Sequence, residues 1–275
     1  MPEGDSLYRA AQHLQALVGE RVSVETPHPR AAAAVSAERL DGRRLEGVEA
    51  VGKNLLLSFE GGLVLRSHLR MSGRWQVVER GSARRGRPWL VLSGVEYDAL
   101  LWNGPVLELS ARGARRLGPD ILAEPPDFDA MVANLRRGSP RRELGDALLD
   151  QRVVAGIGNI YRNEALFLTG IHPLRPWRRL SAEEWGALWD TLRELMQRGV
   201  GEGTVTVAPG EEAHPRALAS RSPEDDDFYV YGQTICRRCG SRLREMPLSG
   251  RRMFACPECQ PKAPRRKPAA RALQR

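Results

Sequence analysis

Two features of this 275-residue chain have the residue types to do chemistry: the start Met1-Pro2-Glu3-Gly4, and the set Cys236-x2-Cys239-x16-Cys256-x2-Cys259. Removal of Met1 leaves Pro2 as the terminus, with a free secondary amine. Such an amine attacks an aldehyde-like carbon and forms an iminium, which is covalent catalysis by a nitrogen nucleophile. A Met-Pro start is also common in chains that do no chemistry there. The four cysteines are the only ones in the chain, and their spacing is that of a tetrahedral site for one structural zinc ion. Disulfides are the competing use, but they need an oxidising compartment, and the polar, acidic N-terminus lacks the apolar stretch of a secretory signal. A cytoplasmic protein is expected. Arg237, Arg238, Arg242, Arg244, Arg251 and Arg252 crowd the cysteine loops.

Weaker candidates lie between these ends. In Ala155-Gly156-Ile157-Gly158-Asn159, paired glycines before a helix can bring backbone amides and a positive helix end close to a phosphate, and Asn159 can cap that helix or bond the phosphate. Alone, a Gly-x-Gly is a weak signal. Lys53 falls at a hairpin tip in Gly52-Lys53-Asn54, where a lysine is ordinarily just solvated. His68 and Met71 follow a strand; the plain readings are a half-buried histidine and a core-filling methionine.

The length suits two globular domains plus the small ribbon, and 41% hydrophobic residues supply a core. No apolar run is long enough to cross a membrane. Lys and Arg exceed Asp and Glu by 42 to 34. The excess is concentrated late: residues 260–275 hold six Lys/Arg and no acid. A basic C-terminal region suits a polyanion, with nucleic acid the natural partner and a merely solvated surface the alternative.

The positioning elements read as follows. Apolar residues from Ser6 to Val18 recur at helical spacing, with Asp5 or Ser6 as cap, so a helix holds Pro2 and Glu3. Eight short apolar runs follow: Arg21–Val24, Leu45–Val51, Leu55–Phe59, Leu63–Leu65, Trp75–Val78, Trp89–Leu92, Ala99–Trp102 and Val106–Leu109. With hairpin signals at Gly61-Gly62 and Asn103-Gly104, they predict an antiparallel β-sandwich. Pro125-Pro126 marks a boundary, after which helices are predicted at Phe128–Leu135, Glu143–Leu149 and Ile160–Leu168. A fourth starts at the capping box Ser181–Glu184 and ends near Gly199 and Gly201. Residues 201–227 read as a mobile loop and the tail from Pro261 as disordered.

Taken in order, Met-Pro-Glu-Gly-Asp, Gly-Lys-Asn-Leu, Ser-His-Leu-Arg-Met-Ser-Gly, Leu-Leu-Asp-Gln-x4-Ala-Gly-Ile-Gly-Asn-Ile-Tyr-Arg-Asn-Glu and Cys-Pro-Glu-Cys-Gln resemble the formamidopyrimidine-DNA glycosylase/endonuclease VIII family, from residue 2 to about 260. The resemblance implies a multi-domain α+β fold. An N-terminal β-sandwich catalytic domain spans 1–122, a helix-two-turns-helix domain with the loop 126–227, a zinc-finger β-hairpin 228–260, and a basic tail 261–275. It implies a monomer that excises oxidised bases from damaged DNA and nicks the strand by β/δ-elimination, near the nucleoid if bacterial, with no small-molecule cofactor and no membrane. By resemblance Pro2 is the Schiff-base nucleophile on C1′, Glu3 the acid/base that opens the sugar, and Lys53 the lysine of the elimination step. His68, Asn159 and Arg251 resemble phosphate-gripping residues, with Arg252 the rival to Arg251. Arg116 resembles a DNA-contacting arginine and Met71 a wedge that fills the vacated helix. The four cysteines hold the zinc. The start resembles the endonuclease VIII branch, which acts mainly on oxidised pyrimidines, whereas His-Leu-Arg-Met-Ser-Gly resembles the other branch. A binding-only module and a zinc-dependent scaffold for other repair proteins are the competing functions; neither needs Pro2, Glu3 and Lys53.

Overall fold

The computed structural model describes residues 2–110, 117–203, 214–218 and 228–262. Arg116, most of the predicted loop and the tail beyond Lys262 lie outside the described residues.

Helix α1 (Gly4–Leu14) begins the chain and presents Leu7, Ala10, Ala11 and Leu14 inward. Eight strands follow: β1 Ser23–Glu25, β2 Leu45–Val51, β3 Asn54–Phe59, β4 Leu63–His68, β5 Arg74–Glu79, β6 Leu90–Ser93, β7 Tyr97–Trp102 and β8 Val106–Ser110. A short helix, α2 (Pro29–Ala34), lies between β1 and β2. The strands make two four-stranded sheets ordered β1-β6-β7-β5 and β2-β3-β4-β8, with every pair antiparallel. Alternating apolar residues such as Leu55, Leu57, Phe59, Leu90, Leu92, Ala99 and Leu101 meet in one buried core with the apolar face of α1, as the period of two requires. The eight strands are those expected from the apolar runs, with ends that differ by up to three residues.

Three local expectations are corrected. Asn103-Gly104 is not a hairpin turn: β7 pairs with β5 and β6 while β8 pairs with β4, so the chain changes sheet at this corner. Neither Asp5 nor Ser6 caps α1. The helix starts from Glu3, which makes no side-chain cap bond, because Asp5 turns inward to pair with Arg9 at 2.8 Å.

The third correction concerns the long helix. After α3 (Phe128–Arg136), α4 (Leu144–Ala147) and α5 (Asn159–Leu168), α6 runs Ala182–Glu202, through Gly199 and Gly201. Gly203, in the left-handed conformation at φ 78°, ends it. Gly199 is there for space: a Cβ at that position would overlap the Tyr161 hydroxyl. The predicted capping box is present, with Glu184 N donating to Ser181 Oγ at 3.2 Å and Ser181 N donating to Glu184 Oε2 at 2.8 Å. These helices bury a second core around Leu144, Leu166, Trp177, Leu188 and Met196. One further turn, α7 (Pro215–Leu218), falls inside the segment expected to be loop, and the hairpin β9 (Arg244–Leu248) with β10 (Arg251–Ala255) completes the order. Among the described residues no helix is long and apolar enough to cross a membrane. Helix α1 packs on β2 and on α6 together, so the first residues of the chain are held at the junction of sandwich and helices.

Candidate active site

The N-terminus of α5 builds the centre of the site. Its start residue, Gly158, has no side chain to cap the first amides, and a helix leaves those donors unsatisfied. The Glu3 carboxylate takes them from across the chain: Ile160 N donates to Oε1 at 2.8 Å and Tyr161 N to Oε2 at 3.4 Å. The expectation that these amides face a phosphate, or that Asn159 caps the helix, is therefore corrected. The paired glycines make room for the N-terminal segment instead. A Cβ on Gly158 would overlap the Glu3 carboxyl group, and Gly4 N donates to Gly156 O at 3.0 Å, where Gly156 has φ 100°. Gln151 braces the same loop, accepting from Gly156 N and donating to Ile157 O, each at 3.0 Å. Glu3 is only 1% exposed. Burial raises its pKa above the ordinary carboxylate value, against the opposing pull of Lys53 and the helix amides.

Lys53 comes from the two-residue turn between β2 and β3. Gly52 takes φ 59° there, and its N donates to Asp120 Oδ2 at 2.5 Å. A Cβ on Gly52 would come within 2.9 Å of the Ala155 Cβ, so the turn is docked against the loop before α5. Lys53 is therefore not a solvated hairpin lysine. It is half-buried, and desolvation lowers its pKa; Glu3 opposes the shift, and Arg251 and Arg162 add to it.

His68 ends β4. Its Nδ1 accepts from Arg70 N at 2.9 Å, which leaves Nε2 as the donor. Burial first, then Arg70, Lys53 and Arg66, push its pKa down to about 4, so the ring is neutral at pH 7. Met71 is not core filler: it is 55% exposed, with its sulfur 3.7 Å from Arg251 Nη1. The ribbon hairpin brings Arg251. Its neighbour Arg252 points elsewhere, toward Glu245 at 3.8 Å and over the Phe254 ring. Asn159 donates from Nδ2 to Arg252 O at 3.0 Å and accepts from the buried Arg162 guanidinium, tying α5 to β10.

Pro2, Glu3, Lys53, His68, Met71, Asn159 and Arg251 line one cavity of about 560 Å³. Sequence reasoning missed other walls of it: Arg70, Arg142, Asp146, Asp150, Gln151, Arg152 and Ser249. Arg142, Asp146 and Asp150 stand four apart, and the arginine pairs with both acids, a spacing readable as a helix-face ion pair. Arg152 also binds Asp150, at 2.9 Å. Asp150 is thereby held far below the usual carboxylate range, first by its bond to Arg152.

The four cysteine sulfurs lie within 4.8 Å of one another, with Cys236–Cys259 at 3.9 Å and Cys239–Cys256 at 3.4 Å. A tetrahedron with metal–sulfur bonds near 2.3 Å has edges of about 3.8 Å, so the set fits one four-coordinate metal ion. The ribbon is docked through α5. Glu164 accepts from Tyr229 N, Val230 N and Tyr231 N at 2.8, 3.0 and 2.7 Å, and burial pushes its pKa up to about 7. Asn163 Oδ1 accepts from Phe254 N at 2.7 Å.

Residues 1–118 match the family model for the formamidopyrimidine-DNA glycosylase N-terminal domain, and residues 117–209 that for the formamidopyrimidine-DNA glycosylase H2TH domain. The chain is 37% identical to "Endonuclease 8 1" of Mycobacterium tuberculosis, over 94% of this chain and 100% of the relative. It is 31% identical to the formamidopyrimidine-DNA glycosylase of Thermus thermophilus, over 96% and 100%. A solved structure of Lactococcus lactis Fpg with DNA containing an abasic site superposes with a TM-score of 0.74 at 25% identity, covering 95% of this chain and 100% of that one. The two domain models match in succession over residues 1–209 and the relatives are covered along their whole length, and the chain belongs to the formamidopyrimidine-DNA glycosylase/endonuclease VIII family of DNA-repair glycosylases and abasic-site lyases.

Proposed function

We propose that this protein removes oxidised bases from DNA and cleaves the strand at the resulting abasic site, with the Pro2 amine as nucleophile. The observation that carries the reading is the convergence of Pro2, Glu3 and Lys53 in one cavity with His68, Asn159 and Arg251. The damaged nucleotide leaves the stack at a cost of a few kcal/mol. Met71, exposed at the rim, fills the space it leaves. His68, through Nε2–H, and Arg251 hold phosphates on either side. The Pro2 nitrogen attacks C1′, the bond to the base breaks, and the base departs with that electron pair and takes up the proton of the Pro2 amine. Glu3, whose pKa burial raises, is the acid that gives a proton to the sugar ring oxygen as the C1′–O4′ bond breaks, which leaves an iminium between Pro2 and C1′. The iminium acidifies the neighbouring C2′ protons, and loss of one expels the 3′ phosphate. Lys53, with its lowered pKa, is the amine placed to carry that proton. Borohydride should trap a protein–DNA adduct on abasic-site DNA, and peptide mapping should place it on Pro2. Absence of an adduct would leave a damaged-DNA binding protein.

We assign the metal as zinc with a structural role, since four thiolates leave no position for water or substrate. Cys256→Ser should lower metal content and weaken DNA binding while the sandwich, whose core is separate, keeps its melting transition. Fresh protein that contains no zinc would end this assignment.

The substrate class follows the start Pro2-Glu3-Gly4-Asp5, which is of the endonuclease VIII kind. The competing signal is Met71. Single-turnover excision should be faster on a saturated thymine lesion than on 8-oxoguanine opposite cytosine in matched duplexes. The reverse order would overturn the pyrimidine preference and leave the Pro2 chemistry standing.

A further inference from the structure

A second strongly cationic concavity lies apart from the catalytic one. On the outer side of the helical domain lies a cavity of about 730 Å³, walled by Pro140, Arg141, Leu174, Arg178, Arg179 and Lys262 with His172 and Arg175. It shares Pro140 and Arg178 with a second cavity of about 330 Å³ that reaches Arg136. It shares His172 and Lys262 with a third of about 220 Å³ that reaches Arg244. The three form one groove, and among the described residues no carboxylate lines any part of it. The catalytic cavity, by contrast, sets Glu3, Asp146 and Asp150 among its cations.

The groove is framed rigidly. Leu144 N and Gly145 N donate to Arg175 O and Pro173 O at 2.9 Å each, and Trp177 N donates to Arg142 O at 3.1 Å. Trp177 Nε1 donates to Ser139 O at 2.9 Å, and Gln260 Nε2 donates to Ile171 O at 2.9 Å. Arg175 is neutralised by Glu184 at 2.5 Å. Among the described residues Arg136, Arg141, Arg178, Arg179, Arg244 and Lys262 make no ion pair, although this chain pairs many of its other arginines. His172, 6% exposed, feels the result: burial first, then Lys262 and Arg244, hold its pKa down. Its Nδ1 accepts from Leu174 N at 3.2 Å, so Nε2 carries the ring hydrogen. A row of cations that, Arg175 apart, meet no carboxylate among the described residues along a fixed groove is the electrostatic footprint of a polyphosphate. Its position adds to this. Arg141 lines the groove while the next residue, Arg142, lines the catalytic cavity. At the other end Lys262 leads into a tail whose sequence, 263–275, holds five more Lys/Arg and no acid.

We propose that this outer groove binds the phosphate backbone of a second, undamaged DNA segment while the catalytic cavity holds the lesion strand. The choice of DNA as the polyanion rests on the reading of the catalytic cavity given above. A second hold on DNA would keep the protein near a strand while the first site samples bases, and would let it pass between neighbouring duplexes without full release.

The full chain is trapped with borohydride on an abasic-site duplex, which fills the catalytic cavity, and a fluorescent undamaged duplex is then titrated in at low salt. The trapped complex should bind it, with an affinity that falls as salt rises. Arg141→Glu/Arg178→Glu should weaken that binding by about tenfold or more and reduce the salt slope by about 2, since each lost phosphate contact removes roughly 0.9. Melting temperature and single-turnover excision at saturating enzyme should be unchanged. A chain ending at Lys262 should still bind the second duplex. The proposal is overturned if the trapped complex binds no second duplex, or if the double variant binds as the parent does. It is also overturned if truncation alone abolishes binding that the double variant retains. Inorganic phosphate that moves the His172 resonances where duplex does not bind would mark a small-anion site and likewise overturn it. If no adduct can be trapped, the catalytic reading fails separately. Comparison of undamaged-duplex affinity and salt slope between parent and double variant then still decides the groove.

Discussion

Protein that keeps Met1 should lose base excision and borohydride-trapped adduct together, by about 10³-fold or more, the scale expected when a covalent nucleophile is removed and only binding and positioning remain. With Met1 attached, the Pro2 nitrogen belongs to an amide whose lone pair is delocalised into the carbonyl, so it cannot attack C1′. The methionine amine is no substitute, because it sits one residue, about 3.8 Å between α-carbons, farther along the chain. DNA affinity should change little, since His68, Asn159 and Arg251 are untouched. The informative rival is Lys53. It lines the same cavity, and desolvation and cationic neighbours lower its pKa, which favours its neutral amine. Mass analysis of intact protein would report Met1 retention, and peptide mapping would locate any adduct that survives. An adduct of undiminished yield on Lys53 would move the nucleophile from the terminus to the β2–β3 turn.

What made the architecture legible in advance was local pattern. Alternating apolar runs located eight strands, the Ser181–Glu184 box located the start of α6, and the cysteine spacing located the ribbon. Each of these rests on residues a few positions apart. Apart from the cap of α1, where Asp5 pairs with Arg9 four residues on, the misreadings involve partners far away in sequence. Asn103-Gly104 looked like a hairpin because turn chemistry does not say which sheet the next strand joins. Gly199 looked like a helix end because glycine is poor in helices, yet there it makes room for Tyr161. Lys53 looked solvated because nothing near it in sequence says that Asp120 and Ala155 close over its turn. The Gly156-x-Gly158 loop looked like a phosphate cradle, and its real occupant is a carboxylate 157 residues before Ile160. The resemblance to a known family named Pro2, Glu3 and Lys53, whereas the pairing of Glu3 with the amides of α5 was visible only in three dimensions.

That pairing makes Gly158 the position with the largest expected effect among residues that carry no reactive group. Gly158→Ala should cut base excision by about 10²-fold, the penalty for a displacement near 1 Å of a reacting group, and thus approach the effect of Glu3→Gln, for which loss of a general acid predicts about 10²- to 10⁴-fold. Its backbone angles, φ −114° and ψ −166°, suit alanine as well as glycine, so strain in the main chain is not the cause. The conflict is spatial: the new methyl would occupy the place of the Glu3 carboxyl group. Either Glu3 leaves the α5 amides or α5 moves away from Glu3, and both change where the proton is delivered. The pH profile tells this apart from general damage to the fold. Glu3 acts as an acid, so its contribution is present below its pKa and declines as pH rises through it. Burial raises that pKa in the parent protein. A displaced, better-solvated Glu3 returns toward the ordinary value of about 4.3, so the alkaline limb of single-turnover excision should move to lower pH in Gly158→Ala and disappear in Glu3→Gln. Release of the strand from a preformed abasic site, which needs no departing base, should suffer less in both. A Gly158→Ala protein with full excision and an unmoved pH limb would mean that the contact between Glu3 and the start of α5 does not set the acid's position.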